Sequence, residues 1–220
     1  MAFEFDCTVD HRRERGLRSA ISALRRGEVV LLPVDTMYVL AVDPFSTKGV
    51  AALRAVKGRG RDLPLSVCVA GIRTVEGLMH PISYDARNLM EAFWPGPLTI
   101  VGMAQPSLAW DIGDTRGTVG VRMPLHPLAL QLLREFGPLA VTSAARAGYP
   151  APGSGVQARE LLGDEVSIYL DAGEVPPSTP STVIDVTSTP PRLLRSGGYP
   201  DSELVAICPE LVVAADPAPE

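Results

Sequence analysis

The chain has 220 residues, 46% of them apolar and 20% charged, enough for one sizeable domain with an ordinary globular core. Its net charge of −5 lies in residues 201–220, which hold Asp201, Glu203, Glu210, Asp216 and Glu220 and no Lys or Arg, so the remaining 200 residues are neutral. No apolar run approaches the roughly 18 residues of a membrane span, and Glu4 and Asp6 break the basic-then-apolar order of a secretory signal. Neither a membrane span nor secretion is expected, and the reducing cytoplasm fits best.

Hydrophobic periodicity predicts a helix over 11–26, with Leu17, Ile21 and Leu24 on one face and Gly27 as its stop. A buried strand over 29–32 follows. Ser46 caps a helix whose Val50, Leu53 and Val56 share a face. A strand over 65–69 comes next, then a helix that starts at Ser83 and ends at the Trp94–Pro95–Gly96–Pro97 turn. Strands over 98–101 and 118–122, a helix over 126–136 closed by Gly137, and strands over 139–142, 166–170, 182–186 and 192–194 complete the pattern. Strands alternating with helices argue for an α/β sheet, and the scarcity of helices late in the chain argues for a mixed one. Pro176, Pro180 and the residues between them read as a loop or lid. The domain is expected to span 1–204, with 205–220 a loosely held acidic tail.

Cys7, Cys68 and Cys208 are far apart and form no CxxC pair, so neither a disulfide framework nor a zinc site is indicated. His11, His80 and His126 lie in different segments, where structural or solvent roles are expected, and no metal site is read. There is no phosphate-binding GxxxxGK[ST] loop, no GxGxxG after a strand, no GxSxG elbow and no HExxH.

Four clusters remain. Arg54, Lys57, Arg59 and Arg61 place four cations within eight residues, with Gly58 and Gly60 between them. They read either as a solvated helix end or as an anion cradle. Thr142–Ser143 ends an apolar strand, where open α/β sheets bind ligands. Thr118 and Arg122 share one strand face by their even spacing. Ser181–Thr182 is followed by Arg195 beyond a short strand.

In this order the segments resemble the YrdC-type threonylcarbamoyl-AMP synthase family. Pro33-Val-Asp-Thr-Met-Tyr38 and Lys57-Gly-Arg-Gly-Arg61-Asp-Leu-Pro-Leu65 open the match. Phe93-Trp-Pro-Gly-Pro-Leu-Thr99, Thr118-Val-Gly-Val-Arg-Met-Pro124, Thr142-Ser-Ala144, Ser181-Thr-Val183 and Leu194-Arg-Ser-Gly197 continue it. It runs over about residues 15–200, and the additional C-terminal domain of longer members has no counterpart in it. The resemblance implies an open, twisted α/β sheet with a concave, cation-lined cleft. It also implies synthesis of threonylcarbamoyl-AMP from L-threonine, bicarbonate and ATP with magnesium, releasing pyrophosphate. A threonylcarbamoyl-transferase complex, tRNA and double-stranded RNA are the implied partners.

By the same resemblance, Lys57 and Arg59 contact nucleotide phosphates or the forming carbamate, and Thr118 and Arg195 complete the nucleotide side. Arg122 forks onto the threonine carboxylate, Thr36, Ser143 and Ser181 read threonine's polar groups, and Tyr38 walls the pocket. The chain departs from the family pattern at Val34 (usually Thr), Val39 (usually Gly), Cys68 (often His) and Ala145 (usually Asn). Two alternatives stay open: a paralogue using another amine or carbamoyl donor, and a non-catalytic RNA- or nucleotide-binding module.

Overall fold

Short apolar runs between glycine and proline turns build one sheet, and the alternation of strand side chains gives it two distinct faces. The computed structural model describes residues 1–35, 37–58, 60–146, 149–176 and 179–213. In chain order the elements are β1 (Phe3–Asp6), α1 (Asp10–Arg25), β2 (Val30–Val34), β3 (Met37–Val42), α2 (Thr47–Lys57), β4 (Ser66–Cys68), α3 (Ile72–Glu76) and α4 (Tyr84–Phe93). They continue with β5 (Leu98–Met103), β6 (Thr118–Arg122), α5 (Pro127–Phe136), β7 (Leu139–Ser143), α6 (Gly155–Leu162) and β8 (Ile168–Asp171). Last come β9 (Thr182–Asp185), β10 (Arg192–Arg195), α7 (Asp201–Ile207) and β11 (Val212–Val213).

The sheet order is β1-β8-β2-β3-β7-β4-β6-β5-β9-β10-β11. The sheet holds both parallel pairs (β1 with β8, β4 with β6, β5 with β9) and antiparallel ones (β2 with β3, β3 with β7, β9 with β10), so it is mixed, as expected. No helix among the described residues is long and apolar enough to cross a membrane.

Local signals set the helix starts. Ser46 Oγ accepts the Gly49 N–H at 3.0 Å, and Ser83 Oγ accepts the Ala86 N–H at 3.1 Å. Each satisfies an otherwise orphaned donor, worth about 1 kcal/mol. His126 takes the structural role expected of it, its Nδ1 accepting the Leu128 N–H at the start of α5.

Elements absent from the sequence reading are β3, a buried six-residue strand that begins inside a family motif, and the shorter or half-exposed β1, α3, α6, α7 and β11. The last two correct the expected tail. Residues 205–213 do not hang loose, because α7 and β11 carry Leu204, Cys208 and Leu211 into the core, and β11 pairs with β10. The sequence signal was weak because the segment is short and its apolar residues show no clear period, so only the fold reveals which of them are buried. The rest of the predicted tail, 214–220, lies outside the described residues.

Alternate residues of each strand go to opposite faces. Leu31, Tyr38, Leu40, Val67, Ile100 and Val121 pack on one face, with Leu53 of α2 and Leu89 of α4. Val30, Leu32, Val39, Ala41 and Val141 pack on the other, with Leu17 and Leu24 of α1 and Leu132 of α5. On the second face, however, α1 and α5 pack over the β8, β2 and β7 region. Beyond it, on β4, β6, β5 and β9, the residues of that face change from aliphatic to Ser66, Thr118, Gly120, Arg122 and Thr99. A hydroxyl, glycine and guanidinium surface stays open there, and it forms the cleft.

Candidate active site

Two joined chambers occupy this open half-face. The larger, about 410 Å³, is bounded by Met37 and Val39 of β3, Cys68 of β4, Arg122 of β6 and Ser143 of β7. The smaller, about 200 Å³, is bounded by Leu65, Val101, Thr115, Thr118 and Val183. Pro64, Ser66, Thr99, Ser181 and Arg195 line both, so the chambers adjoin along these residues.

Arg122 projects from the end of β6, as the even spacing from Thr118 predicts. Its Nε donates to Gly96 O at 3.1 Å and its Nη2 donates to the Asp35 carboxylate. The other Asp35 oxygen accepts the Leu125 N–H. The ion pair is buried, with side chains 10% and 7% exposed, so the guanidinium is fixed rather than freely rotating. Asp35 has a positive φ of 49°, a left-handed conformation that Asp tolerates better than most residues.

Arg195 lies within β10, not beyond it. Its Nε and Nη2 donate to Ser181 O and Ser181 Oγ, both at 3.0 Å. Burial, and then the nearby Arg122 charge, push its pKa below the usual guanidinium value. Two guanidinium groups that repel across one cleft favour an anion between them. Gly197 makes the approach of β10 to Ser181 possible: a Cβ there would lie 2.4 Å from Pro180 O and 2.5 Å from Thr182 N.

Thr118 lines the smaller chamber, its hydroxyl donating to Thr115 O at 2.7 Å. Ser143 lines the larger one. Lys57 ends α2 and donates to Ser143 O at 2.8 Å and to Ala145 O, tying that helix to the end of β7. Thr36 and Arg59 lie outside the described residues, as do Pro177 and Ser178 of the expected lid; Pro180 lines the larger chamber.

Tyr38 does not wall the pocket. Neighbouring strand residues alternate, so Met37 and Val39 face the cleft while Tyr38 enters the opposite core, where it is 1% exposed. Its hydroxyl lies 2.9 Å from Asp171 Oδ1 and 2.7 Å from Gly173 O, and accepts the Ala172 N–H. The cation cluster also divides. Arg61 pairs with Asp111 and Asp114, acids some fifty residues away in sequence, and so holds the loop that carries Thr115. Arg54 turns inward, with Nε and Nη2 buried and lacking a hydrogen-bond partner among the described residues.

Of the departures from the family pattern, Val34, Val39 and Cys68 line the larger chamber, and Ala145 contributes its carbonyl to Lys57. Burial pushes the Cys68 thiol up to about 12, so at ordinary pH it lines the chamber as a neutral thiol. No group of three His, Cys, Asp or Glu side chains suited to a metal occurs among the described residues. Among the polar groups in or behind the cleft that carried no role in the sequence reading are Ser66, Thr99, Thr115 and, behind Arg122, Asp35. Asp35 and Thr99 sit inside motifs that carry the resemblance, and Ser66 is two residues from Cys68 on the same strand face.

The family model described as "Telomere recombination", that of the Sua5/YciO/YrdC domain, matches residues 22–197. The chain belongs to the Sua5/YciO/YrdC family. Within it, a Mycobacterium tuberculosis (strain H37Rv) protein, provisionally named a threonylcarbamoyl-AMP synthase, is 49% identical over 197 residues, which are 90% of this chain and 91% of that one. A Bacillus subtilis (strain 168) threonylcarbamoyl-AMP synthase is 36% identical over 193 residues, 87% of this chain and 56% of its own length. The structure of Pyrococcus abyssi Sua5 complexed with L-threonine superposes with a TM-score of 0.87 at 32% identity, covering 97% of this chain and 62% of Sua5. The chain thus spans little more than half of the second relative and about three fifths of Sua5. The Sua5/YciO/YrdC sheet therefore accounts for nearly all of this chain, cleft included.

Proposed function

We propose that this Sua5/YciO/YrdC protein is a threonylcarbamoyl-AMP synthase acting in tRNA threonylcarbamoyladenosine formation. The observation that carries the reading is the pair of adjoining chambers, with Arg122 in the larger and Arg195 lining both. The relatives' names and the L-threonine in the Sua5 complex support the same substrate for this chain.

The chemistry suits such a site. The amine nitrogen of L-threonine attacks the bicarbonate carbon, forming a C–N bond and losing water. A carbamate oxygen then attacks the α-phosphorus of ATP, and pyrophosphate leaves with the electrons of the broken P–O bond. Every reactant carries an anionic group, so holding them together and offsetting that charge is the main task of the protein. Arg122 takes the threonine carboxylate, with Ser143 beside it; Thr118 and Arg195 face the nucleotide, and Lys57 and Arg59 its phosphates. Magnesium enters as MgATP, carried by the phosphates, an ion that keeps several waters and needs no protein cage. The cytoplasm, with tRNA and a threonylcarbamoyl-transferase complex as downstream partners, completes the proposal.

The test is pyrophosphate release from ATP in bicarbonate buffer with and without L-threonine, with mass spectrometry of the adenylate. Threonine-dependent release is expected. Release supported by another amine instead would trace to Val39 and Cys68 in the larger chamber. No release, with RNA binding that falls steeply with salt, would leave a binding module.

A further inference from the structure

A further cavity of about 510 Å³ lies between α1 and α5, bounded by Cys7, Thr8, Arg13, His126, Gln131 and Arg134. It shares no lining residue with either chamber of the cleft. None of its residues falls in the motifs that mark the family. Cys7 and Ala172 directly follow β1 and β8, a parallel pair, so the cavity opens at the carboxyl ends of these strands. Open α/β sheets bind ligands at such ends.

Its wall is cationic. Arg13 of α1 and Arg134 of α5 line it, and among the described residues no Asp or Glu does. Arg134 makes neither an ion pair nor a hydrogen bond with any described residue. Arg13 Nη2 lies 3.0 Å from Asp10, whose side chain is 85% exposed, so water screens that pair. The other acids nearby are turned to partners of their own. Asp6 accepts the Thr8 N–H and hydroxyl, Asp171 accepts the Gly155 and Gly173 N–H groups, and Glu135 accepts from Gln131. His126 Nδ1 accepts the Leu128 N–H, so the neutral ring carries its proton on Nε2. That N–H has no acceptor among the described residues. Burial pushes the Cys7 thiol up to about 12, so the floor it shares with Leu128 and Ala172 is uncharged.

Two guanidinium groups on one neutral cavity repel unless an anion lies between them. Each offers a planar fork suited to phosphate oxygens. The volume falls in the small-molecule range and far exceeds a bare phosphate, and the apolar floor leaves room for a carbon skeleton. We infer that this cavity is a second ligand site, binding a small phosphomonoester with its phosphate between Arg13 and Arg134. The concave shape between two helices suits one small molecule rather than a nucleic-acid backbone. The site stands whether or not the cleft is a synthase.

The probe is ribose phosphate, the monoester at the primary hydroxyl, followed by amide chemical shifts of the isotope-labelled full chain. Saturable shifts are expected at Thr8, Gln131 and Arg134, separate from any at Thr118 and Ser143 of the cleft. Ribose alone should give none. Arg134→Gln and Arg13→Gln should each weaken binding at the first set about tenfold or more, the loss of a charge-assisted hydrogen bond. Arg134→Lys should recover part of it. Cleft shifts and melting temperature should keep their wild-type values, which separates a lost ligand from a lost fold. Shifts confined to the cleft, or equal affinity in Arg134→Gln and wild type, overturn the site. Inorganic phosphate binding as tightly as ribose phosphate would overturn the monoester. So would a short RNA duplex that shifts the same residues at lower concentration, which would make this surface an RNA interface.

Discussion

Asp35 and Arg122 form a buried ion pair that joins the β2–β3 region to the end of β6, and the same carboxylate holds the Leu125 N–H. Arg122 is thereby left with a fixed orientation toward the larger chamber. Asp35→Asn keeps the size and an acceptor but removes the charge. Threonine KM is expected to rise at least tenfold while ATP KM stays within about twofold, measured by pyrophosphate release. Asp35→Ala leaves a buried guanidinium unpaired and should cost about 3–5 kcal/mol by urea unfolding.

Tyr38 lies in a family motif, yet its hydroxyl serves the core. It binds Asp171, Gly173 and Ala172, and burial pushes its pKa well up. Tyr38→Phe is expected to destabilise the protein by about 1–3 kcal/mol, because the partner groups lose a buried bond. Its KM for threonine should not change. A large KM effect without loss of stability would contradict this placement.

At Gly197 the constraint is close approach, since a Cβ would overlap the Pro180–Thr182 backbone. Backbone cannot yield as a flexible side chain does, so Gly197→Ala must push β10 away from Ser181. Pyrophosphate release is expected to fall at least tenfold, with a lowered melting temperature. Gly58→Ala is the control. Its constraint is instead a left-handed backbone, at φ 58°, and its Cβ would meet nothing within 4 Å among the described residues, so only a modest stability loss is expected.

The His126 side chain accepts the Leu128 N–H, and burial pushes its pKa below the ordinary value of 6.5, against an opposing pull from Asp35. A depressed folded-state pKa means that the neutral ring is favoured by folding. The stabilisation is present above the unfolded value and is lost as pH falls through the folded one. Melting temperature should therefore fall between about pH 7.5 and about pH 5, and fall less in His126→Asn, which keeps a cap acceptor without titrating. Equal pH slopes in the two proteins would remove His126 from the account.

Much of the site was legible because its signals are local. Thr118 and Arg122 face one way by strand parity, and Ser143 ends an apolar strand. Ser46 and Ser83 announced their helices. The same parity, applied across Met37, Tyr38 and Val39, sends Tyr38 away from the cleft, but that requires knowing that this segment is a strand. Arg61 looked like part of an anion cradle because its acids, Asp111 and Asp114, come fifty residues later. Thr99 was visible as a motif residue, while its bond to Ser181 joins strands 82 residues apart.

By itself the sequence determined the mixed α/β class, most strand and helix positions, the caps and the ordered motifs that mark the family. These follow from periodicity and short-range hydrogen bonding, which act within a few residues. Only the tertiary structure decided which half-face stays open, which cations line the cleft and which are neutralised, and that residues 205–213 are anchored. Those outcomes depend on where α1 and α5 pack over the sheet and on partners distant in sequence. The net charge of −5 was silent on all of them; the cleft owes its character to Arg122, Arg195 and the hydroxyls that packing left uncovered.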